Sequence, residues 1–502
     1  MVKIVIVGGG VSGLSAGIYA LLTGNRAVIC EKHRVAGGNL TGWQRGDYTI
    51  DNCIHWLTGT NPATKTYKMW KELGVLGNVE IMQGDSLYTC EKNGRRLSLY
   101  KDLHKLKREM LAISPRDANE TRDFIAAVEY VQGICGIAGA NHDESLTNRE
   151  RAAGLPLMAK YYSLSIGELA RRFSHPLLRA FIGSFWGDHF GALALVFVFA
   201  HFCGENGGIP RGSSLAMAKR MEERFKRLGG ELLTGAEVAR IPTQNGKAKS
   251  VILADGTKLD ADFVILTVEP AIAFGKLLGM PMPRSFARLY NSDRFQRFSC
   301  YHTAFACDMS SLPFSGDFVI SIPQKYRSLL RASNFVLREF SHEKDFAPEG
   351  KNLLQTMTFI DESSSIDFID LKKWDKTEYR EKKHEIAKAC EELIVAQFPE
   401  MSGKLKLIDT WTPATYRSFT GSEIGSFMSF TLPSKALPIR ISNRVPKLSN
   451  VFLATQWQQL PGGLPIAAEG GKLAIETIVM QLRKEEAAEK RRNIGRVAMA
   501  RI

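Results

Sequence analysis

The chain has 502 residues, 44% of them hydrophobic and 24% charged, with 44 glycines and 19 prolines. These proportions exclude collagen-like, low-complexity and wholly disordered polypeptides, and the length allows about two to four domains with ample core. Lys and Arg number 66 against 52 Asp and Glu, a formal charge of +14 that favours an anionic partner: a phosphate-rich cofactor, an acidic membrane surface or nucleic acid.

The first fifty residues read as a β-α-β unit. Ile4-Val5-Ile6-Val7 is a continuous apolar run, as a parallel strand covered on both faces requires. It runs straight into Gly8-Gly9-Gly10, leaving no length for a signal peptide. Gly8 to Gly13 is the turn, Leu14 to Thr23 a helix closed by Gly24, and Ala27 to Cys30 the second strand. Helical stretches then include Asp102–Met110 and the aromatic-rich 180–203, whose residues read as core. The longest apolar run, Phe190 to Cys203, has 14 residues, short of the roughly 20 that span a bilayer.

After Gly207-Gly208-Ile209-Pro210, Leu215 to Leu228 is a helix, and Asn245-Gly246 and Asp255-Gly256 mark two hairpins. Phe263 to Thr267 is a further buried strand, Lys376–Gln397 a strong helix, Val451 to Ala454 a last strand, and Ala467 to Arg483 a helix after a glycine-rich loop. From Leu482 onward seven basic residues face three acidic ones, a solvated helical tail of basic character. The eight cysteines are scattered without a C-x-x-C pair, so no metal site and no disulfide framework is expected. The compartment this implies is cytoplasmic. Nothing beyond net charge speaks for nucleic acid.

Gly8-x-Gly10-x-x-Gly13 between strand and helix is a dinucleotide fingerprint in its proper context. Gly8 allows the tight turn, Gly10 the approach of a pyrophosphate and Gly13 the close packing of helix on strand. The helix N-terminus adds free N–H groups and a positive dipole end. Glu31, 18 residues past Gly13, ends the second strand where a carboxylate accepts from ribose hydroxyls. A second doublet, Gly37-Gly38, follows directly and favours FAD over NAD.

These segments make the chain resemble the phytoene desaturase family of flavoproteins, within the amine-oxidase superfamily, and more narrowly its retinol saturase/carotenoid isomerase branch. The resemblance rests on Gly8–Gly13, Glu31, Gly37-Gly38, Asp51 to Trp56, Gly208 to Ser213, Ala236 to Ile241, Phe398-Pro399, Thr412 to Tyr416, and Asn450 to Pro465. It implies an α/β fold: a discontinuous Rossmann-type (GR2-like) FAD-binding domain over 1–75, 205–280 and 445–482. An inserted α+β substrate-binding domain would occupy 76–204 and 281–444, with a basic tail over 483–502. FAD would be held by Gly8, Gly10, Ser12, Gly13, Glu31, Lys32, Gly37, Gly38, Asn39, Leu40, Val238, Gln456, Gly462, Gly463 and Leu464. Within that set Val238 would meet the adenine, and the loop holding Gly462 and Gly463 would close over the flavin ring. The family usually has Arg where Asn39 stands, and Ala454-Thr455-Gln456-Trp457 departs from its usual strand ending.

His55, four residues beyond Asp51, is the expected catalytic acid–base group, with packing at a domain interface as its other role. The activity implied is FAD-dependent oxidoreduction at carbon–carbon double bonds of a lipophilic substrate such as a carotenoid, a retinoid-like polyene or an unsaturated fatty acid. An amine oxidase is the alternative, with Trp411, Tyr416 and Trp457 as its aromatic cage, and a non-enzymatic lipid escort is a third reading. The basic tail would favour an anionic membrane surface, making the protein peripheral.

Overall fold

The structure, a computed structural model, describes residues 1–137, 148–436 and 439–499. Parts of the expected substrate domain (138–147 and 437–438) and the end of the expected tail (500–502) lie outside the described residues. The chain forms two compact units: Met1–Gly38, Lys219–Phe286 and Arg440–Ile502 make the first, Asn39–Ala218 and Ala287–Ile439 the second.

The first unit is built on five parallel strands in the order Glu231–Thr234, Arg26–Glu31, Lys3–Val7, Phe263–Leu266, Val451–Leu453. The central runs KIVIV and FVIL do not alternate, because helices and loops cover both faces of the sheet. Val11–Leu22 and Leu464–Met499 pack together, with Ser15 Oγ donating to the Ala468 carbonyl at 2.6 Å. An antiparallel trio, Val238–Arg240, Ser250–Leu253 and Lys258–Asp260, carries the chain across to Phe263–Leu266. The hairpin expected at Asn245-Gly246 joins Thr243–Gln244 to Lys247–Ala248, with φ of +51° and +73° at its two central residues. Both positive values match the primed turn that suits a right-handed twist.

The second unit holds a seven-stranded sheet in the order Leu405–Trp411, Phe298–Cys307, Asn352–Asp361, Asn334–Glu339, Asp317–Ser321, Ser86–Lys92, Arg95–Tyr100. All neighbours are antiparallel except Ser86–Lys92 beside Asp317–Ser321. Along Phe298–Cys307 the period of two sends Tyr301, Phe305 and Cys307 to one core, shared with Ile386, Cys390 and Ile394 of the helix Lys376–Gln397. Cys300 and Ala304 go to the other core, with Ile50, Trp411 and Tyr416. A third core gathers the helices Leu103–Ile113, Ala118–Cys135, Pro176–Gly183 and Ala192–Cys203. The stretch 180–203 is thus two helices rather than one. The break falls where Trp186 (φ +59°) and Gly187 (φ +88°) leave helical geometry.

The unit borders differ from the domain limits read in the sequence. Residues 39–75 and 205–218 fall in the second unit, because local pairing ties them there. Gly42–Arg45 pairs with Tyr48–Asp51, and Gly207–Pro210 lies between Leu57–Thr58 and Ile81–Met82. The basic tail is not a separate segment either, since the helix beginning at Leu464 runs without interruption to Met499.

Candidate active site

In the first unit the fingerprint turn is closed by two steric constraints. A Cβ at Gly13 would stand 1.9 Å from the Gly8 carbonyl oxygen, and one at Gly8 (φ +103°) would stand 2.6 Å from Thr267 Oγ1. Only glycine fits either position. Gly10 is the N-cap of Val11–Leu22, and Ser12 lies in the first turn. The doublet is brought alongside: Gly10 and Gly37 form a parallel bridge, and Gly37 N donates to the Gly9 carbonyl at 2.9 Å. Glu31 is buried, and its two carboxylate oxygens accept from Gly9 N at 2.7 Å and His33 N at 2.8 Å. It therefore fixes the glycine turn to the end of its own strand.

Lys32 follows, with burial drawing its ammonium below the usual lysine range. Ala236 N donates to the Glu31 carbonyl at 2.8 Å, which brings the strand that starts at Val238 close to the same strand end. At the C-terminal side, Gly463 N donates to Gln456 Oε1 at 3.0 Å, and Leu464 opens the long helix. Ala454 N reaches the Leu266 carbonyl at 2.9 Å, so this loop leaves the sheet beside the strand that contacts Gly8. The structure thus brings Gly8, Gly10, Gly13, Glu31, Gly37 and Gly38 together at the carboxyl ends of two neighbouring parallel strands.

In the second unit Leu40 is buried, and Asn39 donates through Nδ2 to the carbonyls of Ser426 (3.3 Å) and Phe427 (3.4 Å). Its Oδ1 is enclosed and has no hydrogen-bond partner. His55 sits in a buried ion network that the sequence did not foreshadow. Its Nδ1 faces Asp317 Oδ2 at 3.5 Å, its Nε2 is enclosed without a partner, and its side chain is 17% exposed. Arg338 organises the group. Nε donates to Asp317 Oδ1 (3.3 Å), Nη2 donates to the Ile54 carbonyl (2.8 Å), and Nη1 lies 4.0 Å from Asp51 Oδ2. Asp51 Oδ1 accepts from Ser214 N at 2.9 Å.

Burial pushes the Asp51 carboxyl up to about 6, against the pull of Arg338 and of Ser214. Burial, reinforced by the Arg338 cation, brings the His55 imidazole down to about 4, against Asp317. His55 is accordingly neutral at pH 7. Arg338 and Asp317 could not be found from sequence alone: they lie more than 250 residues beyond His55 and carry no motif.

Beside this network Asn52 joins several buried side chains. Its Oδ1 accepts from Trp411 Nε1 (2.8 Å) and Tyr416 OH (2.9 Å), and its Nδ2 donates to the Asn39 carbonyl (3.0 Å). His302 Nε2 lies 3.0 Å from Tyr416 OH and 3.2 Å from Cys300 Sγ. Its ring stacks on Trp411 with centroids 4.6 Å apart. Burial pushes the Cys300 thiol up and His302 well below its usual range, so both are neutral.

Within the first unit, a strand-turn-helix pyrophosphate cradle where only glycine fits and a carboxylate at the end of the next strand fit a flavin dinucleotide. The comparisons agree. The model of the flavin containing amine oxidoreductases matches residues 11–479, and the chain belongs to that family. It is 23% identical to the chloroplastic prolycopene isomerase of Arabidopsis thaliana over 453 residues, 84% of this chain and 73% of that protein. It is also 23% identical to the zeta-carotene-forming phytoene desaturase of Myxococcus xanthus over 514 residues, 95% and 94% of the two chains. An oxidoreductase from Methanosarcina mazei shares its fold with a TM-score of 0.60 at 16% identity, over 94% of this chain and 100% of that one. The protein is therefore an FAD-dependent oxidoreductase of the amine-oxidase superfamily, similar to carotenoid desaturases and isomerases. No described helix is long and apolar enough to cross a membrane.

Proposed function

We propose that the enzyme acts on carbon–carbon double bonds of a long lipophilic molecule, a carotenoid or another polyene, by desaturation, saturation or isomerisation. The observation that carries this reading is the likeness to a phytoene desaturase along 95% of the chain, joined by that to a prolycopene isomerase along 84%. When bound, FAD supplies the two-electron chemistry, taking or returning a hydride. Gly8, Gly10, Ser12 and Gly13 hold its diphosphate, Glu31 and Lys32 its ribose, and Val238 its adenine. Gly37, Gly38, Asn39, Leu40, Gln456, Gly462, Gly463 and Leu464 hold the rest. His55 is the acid–base group that takes or returns the accompanying proton at Nε2. It is neutral at pH 7, which leaves Nε2 free to accept, and Asp317 faces Nδ1 and would steady the charge the ring takes on. Lys490, Arg491 and Arg492, exposed together near the end of the last helix, are suited to an anionic bilayer surface from which an apolar substrate could be drawn.

The amine-oxidase reading has less support. Trp411 and Tyr416 are buried in one core, with His302 stacked on Trp411 and both polar ends turned to Asn52, an arrangement that favours packing over an aromatic cage for an amine. The deciding experiment photoreduces the purified protein without oxygen and then offers polyenes, quinones and unsaturated fatty acids. A parallel aerobic assay offers a panel of amines. Flavin reoxidation or product formation with a polyene supports the proposal. Hydrogen peroxide release with amines and no reaction with any polyene overturns it.

A further inference from the structure

Asp317, Arg338 and Gln355 stand on three neighbouring strands of the seven-stranded sheet, with Arg338 in register with Gln355. The segment from Asp51 to His55 is tied to this row at both ends. The Gln355 amide, its two ends placed as its neighbours require, donates to the Asp51 carbonyl at 2.9 Å and accepts from Asp51 N at 3.1 Å. Arg338 Nη2 holds the Ile54 carbonyl at 2.8 Å, one residue before His55.

The Asp317 carboxylate is divided between two partners. Oδ2 faces His55 Nδ1 at 3.5 Å, and Oδ1 accepts from Arg338 Nε at 3.3 Å. A carboxylate facing a histidine alone favours the protonated ring, and a cation on its other oxygen opposes that. Burial is the chief reason that the His55 ring is neutral, and the Arg338 cation is the second. The other titratable groups on the surrounding elements are occupied or uncharged. Asp51 accepts from Ser214 N, and burial pushes the Cys53 thiol up to about 12. Burial also takes His302 well below the usual range and lowers His342. Glu339 accepts from Gly316 N and Ser341 N, and Glu343 from Gly212 N and Ser213 Oγ. Arg338 itself is buried, where an apolar side chain of similar size would stand at no greater cost.

We propose that Arg338 is a positioning residue for the acid–base chemistry of His55: by sharing Asp317 with the imidazole and clamping the Ile54 carbonyl, it makes Asp317 a partner that aligns the ring without protonating it at rest. Nε2 is thereby left open to take a proton, and the aligned carboxylate steadies the ring once it has one. This inference rests on the acid–base reading of His55 and adds the residue that sets its proton affinity.

The test follows the His55 ring against pH by NMR in flavin-loaded protein carrying 13C-labelled histidine, the signals being assigned by their loss in His55→Gln. Arg338→Met leaves Asp317 alone with the ring and is expected to raise the titration midpoint by about 1–2 pH units. Arg338→Lys restores a cation and is expected to return the midpoint most of the way to that of wild type. Arg338→Gln keeps a donor but not the charge, and decides the matter by the same midpoint if Arg338→Met does not fold. The acidic limb of the rate at which lycopene reoxidises the photoreduced flavin is expected to move up with the midpoint. An unmoved midpoint in the variants without the cation, alongside a lowered melting temperature, overturns the proposal and leaves Arg338 a structural ion-pair residue. A midpoint as high in Arg338→Lys as in Arg338→Met overturns the part given to the cation. A His55→Gln variant that reoxidises its flavin at the wild-type rate overturns the acid–base reading of His55 instead, whatever the midpoints.

Discussion

The two nitrogens of His55 have different surroundings, one facing Asp317 and the other enclosed without a partner. If the second exchanges the substrate proton, His55→Ala should retain flavin and lose about 100- to 10,000-fold in the rate of substrate-driven flavin reduction or reoxidation. A large fall in melting temperature with an unchanged rate per bound flavin would make the residue a packing element of the ion network. Asp51 gives a prediction in pH. Its carboxyl titrates near 6 in the folded protein against an ordinary 3.8, so the protonated form is favoured by folding. The stability it contributes is complete below about pH 4 and is lost as pH rises through 6, a span worth roughly 3 kcal/mol. His55 works in the opposite sense: its lowered pKa gives stability above about pH 6.5 that is lost as pH falls toward 4. Asp51→Asn removes the first effect alone. The variant should therefore gain on wild type by melting temperature between pH 4 and 6 and run parallel to it above 7. A difference independent of pH would mean that Asp51 titrates as an exposed carboxylate does.

Among the elements, those with purely local causes were legible. The glycine turn, the Asn245-Gly246 hairpin and the helix Lys376–Gln397 follow from residues within one window of sequence, and they stand where that window puts them. The sequence places a helix over about Ala467 to Arg483 and a solvated helical tail from Leu482. The two form a single helix to Met499, its residues 484–493 exposed, on good helix formers such as Glu, Ala, Lys and Arg. A helix carried only by propensity contributes nothing to the cores. Deleting residues after Leu482 should leave the flavin spectrum and the melting temperature within error of the full chain. Binding to vesicles containing anionic lipid should fall by several-fold and lose its salt dependence. Equal binding by both forms would assign the membrane contact to another surface.

For the molecule as a whole, the cofactor cradle was readable because its parts are runs of glycine and apolar strand, while the ion and amide networks were not. Arg338, Asp317 and Trp411 meet Asp51, Asn52 and His55 only through sheet pairings between distant segments, which no spacing in the chain encodes. Those same pairings govern how the polypeptide comes into being. The parallel sheet is finished by Val451–Leu453, and the seven-stranded sheet by Leu405–Trp411. During synthesis the strands made early therefore keep apolar edges open until those last partners emerge, Trp411 for one sheet and Leu453 for the other. Chains halted before residue 405 lack the closing strand of both sheets and should be the more prone to aggregate.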